Sequence, residues 1–68
     1  MKVIVNGDPM ELSEGCGVKE LLKQLNLKPE LVVIELNQEI LKKDQLAETR
    51  LKAGDQVEIV HFVGGGAV

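Results

Sequence analysis

Val57-Glu58-Ile59-Val60-His61-Phe62-Val63-Gly64-Gly65-Gly66-Ala67-Val68 holds the key to this chain. Val57, Ile59 and His61 alternate with Glu58, Val60 and Phe62, the period of a strand. The strand then loses its side chains and continues as three glycines. Fixing each glycine costs roughly 1–2 kcal/mol of backbone entropy with no side chain to bury in return. Residues 64–68 therefore read as a flexible tail behind a domain spanning residues 1–63. Three glycines reach about 10 Å past the last anchored residue when extended. Having no Cβ atoms, they fit a channel too narrow for any other residue. The expectation is a tail that enters a partner's active site.

Composition bounds the rest. The chain has 68 residues and reads as one domain. A domain of that size buries only about 60% of its unfolded surface, so every apolar position counts. The single Cys excludes an internal disulfide, and no Cys/His cluster suggests a metal site. Phe62 is the only aromatic residue of the Phe, Tyr and Trp class, so Val, Ile and Leu must build the core. No signal peptide stands out, and no apolar run approaches the roughly 20 residues of a membrane span. The expected setting is the reducing cytoplasm. A net charge of −3 with Lys and Glu interspersed argues against nucleic acid or an anionic membrane as partner.

Upstream of the tail the pattern resolves into short elements. Met1 to Val5 alternates as a half-buried strand, and Asn6-Gly7 is a strong hairpin signal because both residues tolerate positive φ. Met10 to Ser13 is expected to return as a second, edge strand after Pro9. Val18, Leu21, Leu22 and Leu25 then recur at i, i+3, i+4 and i+7, an apolar helical stripe with Gly17 as N-cap. The helix should stop at Asn26 to Lys28, ahead of Pro29. Leu31 to Leu36 reads as a strand apolar on both faces, Asn37-Gln38 as a turn, and Glu39 to Leu41 as a short return strand. Residues 42–49 suggest a turn of helix or an irregular link. Leu51 points inward, and Ala53-Gly54-Asp55 launches the last strand.

One helical stripe is most economically buried across one mixed sheet. The expected fold is α+β: a β-grasp, ubiquitin-like arrangement with a mixed four- to five-stranded sheet and one main helix on one face. The first and last strands should lie parallel at the sheet centre. Val3, Val5, Val57 and Ile59 then face the helix, leaving Ile4, Val60 and Phe62 on the open face as a partner-docking patch beside the tail. An enzyme reading has little to stand on. Cys16 and His61 are the only nucleophile–base pair, and no third group orients them.

These residues resemble the ThiS family, the sulfur carriers of thiamine biosynthesis, over essentially the whole chain. The resemblance is carried by Val5-Asn6-Gly7, Val18-Lys19-Glu20-Leu21-Leu22, Leu36-Asn37-Gln38-Glu39-Ile40, Gly54-Asp55-Gln56-Val57-Glu58-Ile59-Val60 and, most specifically, His61-Phe62-Val63-Gly64-Gly65-Gly66. It implies a protein cosubstrate rather than an enzyme, with no bound cofactor. An E1-like adenylating enzyme of the ThiF type would consume ATP to join the Gly66 carboxylate to AMP. Sulfur from a protein persulfide would displace AMP to leave a thiocarboxylate, and a thiazole synthase of the ThiG type would take the sulfur. Gly64, Gly65 and Gly66 would be the channel-entering residues.

Two positions depart from the family pattern. Gly66 is followed by Ala67-Val68, so a carboxylate at Gly66 requires a tail-trimming protease, unless those two residues are a cloning remnant. Gly17 stands where the family often has Thr, which touches stability only. The small subunit of molybdopterin synthase shares the fold, tail and chemistry but typically carries Pro before its glycines. Carriers for cysteine synthesis or tRNA thiolation are further alternatives. So is a ubiquitin-like modifier that uses the Ile4/Val60/Phe62 face without sulfur.

Overall fold

The computed structural model describes residues 1–62. The domain limit at Val63 and the tail residues Gly64, Gly65 and Gly66 lie outside the described residues, as do Ala67 and Val68. Strand β1 (Lys2–Val5) buries Val3 and Val5 and turns through Asn6 and Gly7, whose φ values of 50° and 86° make a two-residue hairpin loop that matches strand twist. That loop places Asp8 opposite Val5, so β2 spans Asp8–Glu11 rather than the expected 10–13. Pro9 thus sits inside the strand, opposite Ile4. It is tolerated because β2 is an edge strand.

Helix α1 (Val18–Gln24) buries Val18, Leu21 and Leu22. Gly17 caps it without a side chain. Its N–H donates to Glu20 Oε1 at 2.8 Å, half of a capping box. The helix ends where Asn26 takes a φ of 59°. The Leu27 N–H then donates to the Leu22 carbonyl and the Asn26 N–H to that of Lys23, the paired bonds of a Schellman motif. A single 3₁₀ turn over Pro29–Leu31 follows, started by a residue whose φ is already helical. It takes Leu31 out of the strand that the apolar run had suggested.

Strands β3 (Val32–Leu36) and β4 (Glu39–Leu41) form a hairpin about Asn37 and Gln38. The stretch after β4 contains a short helix, α2 (Lys43–Leu46), whose Leu46 plugs the core. Strand β5 (Gln56–His61) completes a five-stranded sheet of order β2-β1-β5-β3-β4. β1 and β5 are parallel and the other neighbours antiparallel, which is the expected β-grasp. Val3, Leu21, Leu22, Ile34 and Val57 form the centre of the core between α1 and one face of the sheet.

The start of β5 is held by a buried carboxylate. Asp55 accepts the Lys52 N–H at 2.7 Å and the Asn37 Nδ2–H at 3.0 Å. Asn37 Oδ1 accepts the Gln56 N–H at 2.9 Å, locking the β3–β4 turn to the turn that feeds β5. A buried carboxylate needs such donors to offset its loss of water.

Candidate docking face and tail site

Side chains on β5 divide by parity. Val57 and Ile59 point into the core, whereas Val60 is 58% exposed and Phe62 50% exposed. The register with β3 supplies their neighbours. Val33 lies opposite Val60, and the Phe62 N–H donates to the Leu31 carbonyl at 2.8 Å, setting Leu31 beside Phe62. Leu31 is itself 40% exposed. The open face at this end therefore presents Leu31, Val33, Val60 and Phe62 immediately before the glycines.

Ile4 does not join them. It pairs with Gln56, four positions before Val60 and so about 13 Å away along the strand. β1 ends at Val5, and the last residues of β5 run on past it. Leu31 and Val33 escaped the sequence reading because an apolar strand does not reveal which alternate residues face out. The register, with Glu35 opposite Glu58, settles that. The only sequence signal available was the equal alternation of 31, 33 and 35 against 62, 60 and 58.

The Glu35–Glu58 pair forms the next row of this face, with Ile40 opposite Glu35 on β4. Like charges directly opposite each other on adjacent strands are unfavourable. Among the described residues no cation forms an ion pair with either carboxylate.

Cys16 offers no chemistry here. It is buried, its thiol points at the Gly17 carbonyl oxygen 3.5 Å away, and its own carbonyl accepts the Leu51 N–H. Burial first, and the Glu20 carboxylate second, push its pKa up. A thiol so placed has less thiolate to attack with. The depression beside it, about 640 Å³, includes Ser13, Glu20, Lys23 and Arg50 in its lining but not His61, which lies opposite Val32 at the far end of β5. The fold does not bring His61 to Cys16. No group of three or more His, Cys, Asp or Glu that could hold a metal ion occurs among the described residues. No helix among them is long and apolar enough to cross a membrane.

Comparison with known proteins agrees with this geometry. The ThiS family model matches residues 3–66, the three glycines included. The sulfur carrier protein ThiS of Bacillus subtilis is 38% identical over 63 residues, covering 91% of this chain and 96% of that one. A thiazole synthase of Magnetococcus marinus is 36% identical over 66 residues, which is 97% of this chain but only 20% of that longer protein. The crystal structure of the thiamine biosynthesis protein ThiS from Geobacter metallireducens superposes with a TM-score of 0.82 at 40% identity, covering 97% of this chain and all of that one. On both sequence and structure, the chain belongs to the ThiS family.

Proposed function

We propose that the chain is a sulfur carrier for thiazole formation in thiamine biosynthesis, acting as a cosubstrate with Gly66 as the loaded residue. The observation that carries this reading is the sequence Gly64-Gly65-Gly66 shortly after a central strand, in a chain that matches sulfur carrier proteins along nearly their whole length. The chemistry follows from the carboxylate. At an ordinary α-carboxyl pKa of about 3.3–3.7 it is ionised and a poor electrophile. Transfer of its oxygen onto the α-phosphate of ATP, with loss of pyrophosphate, makes an acyl-adenylate. The terminal sulfur of a protein persulfide then attacks the acyl carbon and AMP leaves. A thiol reduces the donor's S–S bond and frees the thiocarboxylate. An E1-like adenylating enzyme supplies the ATP site, so the carrier needs no cofactor of its own.

A thiazole synthase is the proposed acceptor. A stretch similar to this chain occupies a fifth of the Magnetococcus marinus enzyme of that name, which would bring carrier and acceptor into one polypeptide. The cluster of Leu31, Val33, Val60 and Phe62 is the proposed docking face for these partners. Because Gly66 is joined to Ala67, loading at Gly66 requires cleavage of the Gly66–Ala67 peptide bond, unless Ala67-Val68 is a cloning remnant. The cytoplasm is where ATP, persulfide and a reduced Cys16 occur together. Intact mass of the protein isolated from its own cells tests the proposal. A chain ending at Gly66, a fraction of it with sulfur in place of one oxygen, is expected. A population wholly of the 68-residue, all-oxygen form would overturn it.

A further inference from the structure

The parallel ladder between β1 and β5 outlasts the strand that makes it. The Ile4 N–H donates to the Asp55 carbonyl at 2.9 Å and the Asn6 N–H to that of Val57 at 2.8 Å. The next rung belongs to Ile59, but by then the chain has left β1 through the turn at Asn6 and Gly7. The Asn6 side chain fills the place. Its Oδ1 accepts the Ile59 N–H at 2.7 Å and its Nδ2–H donates to the Ile59 carbonyl at 3.3 Å. A primary amide has one acceptor and one donor side, like a peptide unit, so it can complete both halves of the rung. An N–H can meet only an acceptor, which fixes the orientation of the amide.

Beyond Ile59, β5 is held from one side only among the described residues. Val60 pairs with Val33, and the Phe62 N–H reaches Leu31, both through the β3 side of the strand. Among the described residues, Asn6 is therefore the last tie to β5 from its β1 flank. We propose that Asn6 is a positioning residue for the carrier reaction: it pins β5 at Ile59 and thereby sets the length of chain between the anchored strand and the loaded end. This rests on the sulfur-carrier reading above. With the tie in place, four residues, 63–66, separate Phe62 from the loaded end. If the strand frays back to Ile59, seven residues, 60–66, are free. Effective concentration of a tethered end falls roughly as the −3/2 power of tether length, so the loaded end reaches the partner's active site about twofold to threefold less often.

The residue type is specific. Gly at position 6 keeps the left-handed turn and the backbone N–H to Val57 but removes the amide. Asp keeps the acceptor for the Ile59 N–H and turns a carboxylate oxygen on the Ile59 carbonyl. Asn6→Gly and Asn6→Asp in a chain ending at Gly66 test the proposal in two arms. Native-state amide exchange should show Ile59 and Phe62 losing tenfold or more of their protection while Leu22 and Ile34 lose less than twofold. Thiocarboxylate formation with the adenylating partner, at a temperature where all forms are folded, should show kcat about twofold to threefold lower with KM for the carrier unchanged. Uniform loss of protection across the core, or none at Ile59, overturns the proposal. So does selective loss of protection with kcat intact. Failure of the unsubstituted Gly66-ended chain to load defeats the carrier reading instead, and the positioning role in that reaction with it.

Discussion

The two halves of β5 differ in almost every physical respect. From Gln56 to Ile59 the strand has neighbours on both flanks, core side chains at Val57 and Ile59, and an asparagine side chain from each adjoining turn, Asn37 on Gln56 and Asn6 on Ile59. From Val60 to Phe62, just past the strand's end, it has among the described residues only the β3 side, and Val60 and Phe62 are exposed. One strand thus does two jobs in sequence. Its first half stabilises the domain, and its second presents a surface and hands the chain over to the glycines. The separation teaches that substitutions only a few residues apart should fall into different classes of effect.

The sharpest contrast lies past the strand. Adenylation needs a free carboxylate at the channel's end, and Ala67 and Val68 would hold Gly66 about 7 Å back while bringing Cβ atoms into a glycine-wide passage. The 68-residue chain is expected to show no ATP-dependent pyrophosphate release above background with the adenylating partner, and the chain ending at Gly66 to load fully. Gly66→Ala in the shortened chain should load poorly. Equal loading of the long chain at Val68 would break the assignment of the reactive residue.

Within the first half, Ile59→Ala should destabilise the fold by roughly 2–5 kcal/mol, the range for truncating a buried aliphatic side chain. Chemical denaturation reads this as a lower midpoint at unchanged slope. In the second half, Phe62→Asp should change stability by less than about 0.5 kcal/mol, because the ring is half exposed. It should weaken binding of the adenylating partner at least tenfold, or about 1.4 kcal/mol, by putting a charge in an apolar contact. Intact affinity with intact stability would remove Phe62 from the docking face, and a large stability loss would erase the division of β5 itself.

Local chemistry made much of this legible. The 3.6-residue stripe of α1, the Asn6-Gly7 loop, the Gly54 turn and the alternation in β5 each follow from a few adjacent residues, and one helix with five short strands has few ways to bury itself. What stayed hidden depends on register. Ile4 and Val60 share the open-face parity, yet β1 stops at Val5, and nothing local says how far β5 outruns it. Leu31 and Val33 sat inside an apolar run whose outward members are chosen only by pairing with β5. Pro9 concealed the start of β2, since a proline that reads as a breaker is harmless on an edge. The side-chain rungs of Asn6 and Asn37 are tertiary as well: the turn explains why asparagine is allowed there, but only the neighbouring strand explains what its amide binds.

The smallest effect marks the boundary between the two halves. Glu58 lies in the first half by backbone but on the open face by side chain, directly opposite Glu35. Cross-strand charge pairs are worth roughly 0.2–1 kcal/mol, unfavourable for like charges and favourable for opposite ones. Glu58→Lys converts one into the other, so stability should rise by about 0.5 kcal/mol in low salt. The gain should shrink in about 1 M salt, where the screening length falls to roughly 3 Å. In a Glu35→Gln background the same substitution should change stability little, which separates the pairwise term from a general change in net charge. The same substitution tests how far the docking surface extends. If partners read only the apolar cluster of Leu31, Val33, Val60 and Phe62, loading of a Gly66-ended chain should keep its KM. A KM raised tenfold with stability improved would extend the surface to the Glu35–Glu58 row. In that case the two carboxylates, costly to the isolated fold, face a cationic side chain in the complex, and the functional half of β5 begins at residue 58 by its side chain while the structural half still ends at residue 59 by its backbone.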